Sequence, residues 1–146
     1  MVNSVDFAVY LRHRALERGL DPNVTQIQKW LYVCYGFYLA AYEKRLFNEK
    51  PKAWQYGPVF VDVYEKQKSS NNLEGLPLED FSELEHIVDE TLDNFGDWKA
   101  SELVLWTHML GGAWEKQWSK KMLGTMDDKA IRSDFERILV DEQEED

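Results

Sequence analysis

Cysteine is almost missing from this chain: Cys34 is the single one in 146 residues. That excludes an intrachain disulfide and a structural zinc site built on several thiolates. The three histidines, His13, His86 and His108, fall in no zinc-protease spacing. No glycine-rich phosphate loop precedes a helix, and no strand–Gly-x-Ser-x-Gly–helix pattern is present. No metal, no cofactor and no catalytic residue is therefore expected, and the chain reads as a non-enzyme.

Long apolar runs are also missing. The longest uncharged stretch, Trp30 to Tyr42, has 13 residues, too few to span a bilayer. The first residues lack the basic and apolar regions of a signal peptide, so a cytoplasmic protein with no membrane partner is expected. Lys and Arg form no run along the chain, and none occurs between Ser69 and Trp98. A nucleic-acid partner is not expected on that count.

What is plentiful is acid and aromatic area. Residues 1–70 carry 10 basic and 7 acidic side chains, residues 71–146 carry 7 and 20, and the net charge is −10. An acidic half suits a basic protein partner as well as simple solubility. Six Trp, seven Tyr and seven Phe exceed what a small core needs, leaving some for a partner surface.

Periodicity predicts a mostly α, single compact helical domain over residues 1–140, with residues 141–146 (DEQEED) as an acidic solvated tail. A first helix is expected from Ser4 as N-cap to Gly19, with Leu20 placed for a Schellman contact. Thr25 with Gln28 three residues on predicts a capping box that opens the second helix. That helix, about 25–43, is apolar on every side and reads as the buried centre of the fold. Lys52 to Tyr56 alternates, which predicts a short extended segment. Gly57-Pro58 predicts a helix start at Pro58 running to about Lys68, although the valines that follow also fit a strand.

After a polar loop, Ser69 to Pro77, an apolar stripe from Phe81 to Phe95 predicts a helix ending at Gly96. Another is expected over Ala100 to Leu110, broken by Gly111-Gly112. Trp114 and Trp118 would share a face of a short helix, and Thr125 with Asp128 marks the start of the last one. Cys34, in the most apolar helix, reads as a packing residue. His108, near a helix C-terminus, is expected to favour its charged form through the dipole.

Three stretches together resemble the Panacea-domain family, the SocA-like antitoxins of bacterial and phage toxin–antitoxin pairs. "TQIQKWLYVCYGFYLA" (Thr25 to Ala40) is similar to that family's Lys-Leu-Leu-Tyr helix. "LFNEKPKAWQYGPVFVDVY" (Leu46 to Tyr64) is similar to its Ala-Trp…Gly-Pro-Val…Tyr block, the most specific element. "ASELVLWTHMLGGAW" (Ala100 to Trp114) is similar to its Thr/Ser-His…Trp segment. Trp30 stands where a Leu is usual, and Cys34 to Phe37 replaces a stretch that usually contains polar groups.

The resemblance implies an α-helical antitoxin that neutralises a cognate toxin protein, encoded by the neighbouring gene, through direct binding. The alternatives are a prophage-type adaptor that delivers a partner to a protease and, further off, a small hydrolase using His108. Tyr56, Phe60, Tyr64, Trp114 and Trp118 are the candidate partner anchors, since aromatic anchors dominate interfaces. Thr25, Trp30, Trp54, Gly57, Pro58 and His108 read as structural. A homo-oligomer is compatible with all of this.

Overall fold

The computed structural model describes the backbone of residues 1–145 and the side chains of residues 1–139. Its elements in chain order are α1 (Ser4–Glu17), α2 (Val24–Tyr42), β1 (Lys52–Trp54), β2 (Gly57–Val59), α3 (Val61–Ser69), α4 (Glu85–Phe95), α5 (Ala100–Met109), α6 (Ala113–Lys120) and α7 (Asp128–Glu145). The architecture is mostly α, with a small antiparallel hairpin set into it. No helix among the described residues is long and apolar enough to cross a membrane. The reading of residues 141–146 as a solvated tail falls on side chains outside the described ones; the backbone of α7 continues through Glu145.

The core is organised around α2. Every residue from Ile27 to Gly36 is buried, and the helix packs against α1, α3, α4, α5 and α7. An apolar surface on all sides demands this placement, because each exposed face would forgo burial energy of about 25 cal/mol per Å². Trp30 is fully buried, and its indole N–H donates to the Phe95 carbonyl at 3.1 Å, so a polar handle is satisfied where a leucine would have none. Gly36 allows the closest approach: a Cβ there would lie 2.0 Å from the Phe135 ring of α7.

The caps sit one or two residues earlier than expected. Asn3, not Ser4, caps α1 by accepting from the Asp6 N–H at 3.0 Å. The Gly19–Leu20 end is as expected, with the Leu20 N–H reaching the Ala15 carbonyl at 3.0 Å. In α2 the capping box is Asn23 with Gln26, not Thr25 with Gln28. Asn-x-x-Gln satisfies the same geometry two residues upstream, and this releases Gln28 to turn inward.

The largest departure is at Gly57-Pro58. Pro58 does not open a helix; it lies in β2, paired with Ala53 of β1. Proline tolerates this because a two-stranded ladder leaves an edge that needs no N–H from it. α3 opens at Val61 instead, with Phe60 as an N-cap residue that has no side-chain cap of its own. Glu49, from the preceding loop, supplies the cap by accepting from the Asp62 N–H at 3.1 Å, and it also accepts from the Ser4 hydroxyl at 2.6 Å.

β1 is lined on its other side by residues 123–126. The Ala53 N–H donates to the Gly124 carbonyl, the Leu123 N–H to the Ala53 carbonyl and the Met126 N–H to the Pro51 carbonyl, each at 2.9 Å. The stripe from Phe81 begins as a 3-10 turn, Ser82–Leu84, before α4. α7 begins after Asp127, whose carboxylate accepts from the Ala130 N–H at 3.2 Å; Thr125 forms a bridge with Lys52 instead of opening the helix.

Part of the acidic half is used internally. Arg14 of α1 donates to Glu85 at 2.9 Å and to Asp89 at 2.8 Å, and Arg18 reaches Asp93 at 2.7 Å. Although burial opposes it, these two guanidiniums hold the Asp89 carboxyl below its ordinary range.

Candidate functional site

The hairpin is the point where α2, α3, α5 and α6 meet. Gln28 of α2 reads its far end as a strand would: its carboxamide donates to the Phe60 carbonyl at 3.1 Å and accepts from the Phe60 N–H at 2.8 Å. The same amide N–H2 group donates to Gln67 at 3.1 Å, and Gln67 donates onward to Asn72 at 3.1 Å and to the Val24 carbonyl at 3.2 Å. This buried relay fixes α3 and the following turn onto α2. A buried amide network of this kind is stabilising only when every member is satisfied, as here.

Lys29, the next residue, runs beneath the turn. It is 2% exposed, and its ammonium donates to the Pro58 carbonyl at 3.1 Å. Burial lowers its pKa to about 7. Gly57 has φ +109°, a conformation that side chains disfavour. A Cβ there would stand 2.6 Å from the Thr107 hydroxyl oxygen and 2.9 Å from the Lys29 Cε. Gly57 is therefore required twice over, by its backbone angle and by the two side chains that press on it.

On one side of the hairpin, Trp54 meets Tyr64 of α3 edge-on at 5.1 Å. With Tyr56, Val59, Thr25 and Leu123 they wall a groove of about 370 Å³ that has Gln28 and Lys29 among its lining. On the other side, the Trp114 indole N–H donates to the Trp54 carbonyl at 2.8 Å. The His108 ring lies flat on Trp114, 3.9 Å between centroids, and Trp114 in turn stacks on Trp118 at 5.4 Å.

The sequence candidates thus divide into three groups. Tyr56, 65% exposed, sits at the hairpin tip, and Tyr64 is half-buried in the groove wall. Trp114 and Trp118 are half-buried in the stack behind the hairpin. Phe60 belongs to neither group: it is fully buried between Tyr35 and Phe47, with centroids at 5.5 and 5.2 Å, and is no surface anchor. The valine-rich stretch turns its aromatic inward because Gln28 holds the Phe60 backbone against α2.

His108 also departs from expectation. Burial lowers its pKa, the Gln55 backbone opposes that shift, and the Lys29 ammonium adds to it. Desolvation outweighs the helix-end effect that favours the cation, and the ring Nε2 is buried without a hydrogen bond among the described residues.

The pattern of residues in the three stretches has a counterpart in known proteins. A family described as "Antitoxin SocA-like, Panacea domain" matches residues 27–115, more than half of the chain. The chain belongs to this family. No curated protein and no solved structure matches it. The Panacea match covers nearly all of α2, the hairpin, α3, α4, α5 and the first residues of α6. It therefore contains the Gln28 relay, Lys29, Gly57 and the His108–Trp114 stack. α1 and α7 lie outside it and close the core around α2.

The buried roles of Gln28, Lys29, Gln67 and Thr107 escaped sequence reasoning, which placed Gln28 in a helix cap. The only signal for them was polarity at buried helical positions: Gln28 and Lys29 sit between Ile27 and Trp30 on a helix otherwise apolar all round. A charge cluster escaped as well. Lys44, Arg45, Lys50, Lys129 and Arg132, with Glu43 and Asp128 between them, surround one concavity of about 400 Å³; Asp128 pairs with Lys50 and Glu43 with Arg132.

Proposed function

We propose that this Panacea-domain protein is a non-enzymatic antitoxin that neutralises a cognate protein toxin by binding it directly. Membership of the antitoxin SocA-like family carries the reading. Within the fold it is supported by the hairpin face, where Tyr56 projects from a turn braced from behind by Lys29, Thr107 and Trp114. A rigid aromatic at an exposed tip loses little conformational entropy on binding, which is what an interface anchor requires.

The non-enzymatic reading is supported by His108, whose ring is stacked on Trp114 with Nε2 shut away from solvent. Its role is packing between α5 and α6. A cytoplasmic setting and a toxin encoded by the neighbouring gene complete the proposal.

The test is co-expression with the product of the neighbouring gene. Growth is expected to stop with that product alone and to recover with both, and the two proteins are expected to co-purify. A harmless neighbour, or one that stays toxic beside stable, folded protein, overturns the reading. Recovery that coincides with a shortened half-life of the partner would assign the protein to protease delivery instead.

A further inference from the structure

Lys29 is an anomaly in a chain of net charge −10. Its ammonium is buried, burial is what lowers its pKa, and no carboxylate pairs with it among the described residues. Its only hydrogen bond among the described residues is to the Pro58 carbonyl, which uses one of three N–H donors. Bracing the hairpin does not need a cation, because Gln28 does the equivalent work at Phe60 with a neutral amide. A buried charge without a partner is costly, and an amide in the same place would avoid that cost.

The groove beside it supplies the missing context. Lys29 is the one charged residue in its lining, which includes no carboxylate, while Trp54, Tyr56 and Tyr64 form its aromatic walls. The stem of Lys29 reaches this place by lying along Gly57, where any side chain would displace it. The remaining titratable groups around it are His108 of α5 and the Tyr56 and Tyr64 phenols.

We propose that this groove is a carboxylate site, in which the Lys29 ammonium receives an aspartate or glutamate side chain of the protein partner and the aromatic walls receive the apolar residues flanking it. That the carboxylate is carried by a protein rests on the antitoxin reading; the site itself does not. Below about pH 7 the free protein holds this cation without a counter-ion, and binding supplies one, so the cost of burying it is recovered only in the complex. A phosphate-bearing ligand is not the better fit, because a single ammonium among aromatic walls lacks the several donors that a phosphate takes.

The decisive experiment needs no partner. The free protein is titrated with acetate at about pH 6, against a chloride control of equal ionic strength, while NMR follows the Lys29 side chain and the Gly57 amide. Saturable shifts at both are expected, with the Lys29 titration midpoint rising by about 1–3 as the opposite charge arrives. Lys29→Met is expected to abolish the Gly57 shift. Absence of a saturable shift in the wild-type protein, or an equal Gly57 shift in folded Lys29→Met, overturns the site. Should Lys29→Met not fold, the wild-type midpoint decides alone. In the complex with the neighbouring gene product, the same midpoint rise is expected, and Lys29→Met is expected to weaken binding by roughly tenfold or more. A partner that binds the wild type with an unchanged midpoint sinks the carboxylate site and leaves the antitoxin reading standing.

Discussion

Gln28 and Phe60 are joined by a reciprocal pair of hydrogen bonds, amide to backbone, at 3.1 and 2.8 Å. A helix side chain here takes the place of a neighbouring strand. Replacing it by leucine strands a buried N–H and a buried carbonyl on Phe60 and breaks the link to Gln67. Gln28→Leu is expected to destabilise the fold by roughly 1–3 kcal/mol for each stranded group, read as a lower urea midpoint with unchanged slope. A loss within experimental error would show that water replaces the amide.

Gly57→Ala is expected to cost about 1–3 kcal/mol, because φ is +109° and the added carbon meets Thr107 and Lys29. The corresponding fall in Tm is roughly 2–4 °C per kcal/mol for a chain of this length. Gly75 is a useful control: it also has positive φ, but nothing lies within 4 Å of its Cβ position. A larger loss at Gly57 than at Gly75 separates crowding from backbone strain.

Tyr56 and Phe60 should behave oppositely. Tyr56→Ala is expected to change stability by no more than about 0.5 kcal/mol while reducing toxin neutralisation in the growth assay. Phe60→Ala is expected to cost about 3–5 kcal/mol through the cavity left beside Tyr35 and Phe47. Full neutralisation by a folded Tyr56→Ala protein would remove the hairpin tip from the interface.

Protonation of Lys29 makes stability depend on pH in a defined direction. The folded pKa is about 7, below the ordinary value of 10.5. Between these values the unfolded chain binds more protons than the folded one, so stability rises with pH across that window. Below about pH 7 both states are protonated, and the full cost of the buried charge is felt. Thermal melts between about pH 7 and 10 are therefore expected to show a rising contribution that Lys29→Met removes.

Close packing of α2 on α7 gives a fifth mutational test. Gly36→Ala places a methyl into the Phe135 ring and is expected to cost about 1–3 kcal/mol, with partial recovery in the double variant Gly36→Ala/Phe135→Leu. Additive losses would mean that the two residues do not share the contact.

The helical fold was legible because its signals are local. Ile27 to Leu39 carries enough apolar residues to declare a buried helix, and Gly19–Leu20 declares its own C-terminal turn. The hairpin was half legible: alternation marked Lys52 to Tyr56, of which Lys52–Trp54 is the strand, but Gly57-Pro58 has the same local chemistry before a helix as inside a tight turn. What decided between them was Gln28, about thirty residues away in sequence, together with a helix cap from Glu49. The inward turn of Phe60 follows from the same distant partner. Lys29 was harder to read for another reason: its place on an apolar helix was the one signal, and a lysine there can also snorkel to solvent. The mixed-charge concavity around Lys50 likewise depends on α7 returning to the loop after α2.

The backbone ties along residues 123–126 have a consequence for recognition. They occupy the outward-facing groups of β1, and β2 is buried against α2. The β1 edge is therefore not open for a partner to extend, and β-augmentation is closed off on that side. Whatever binds the hairpin must read side chains at its tip and walls. On the proposed function, substituting those side chains one at a time is a route to a new partner that leaves the backbone ties along residues 123–126 in place.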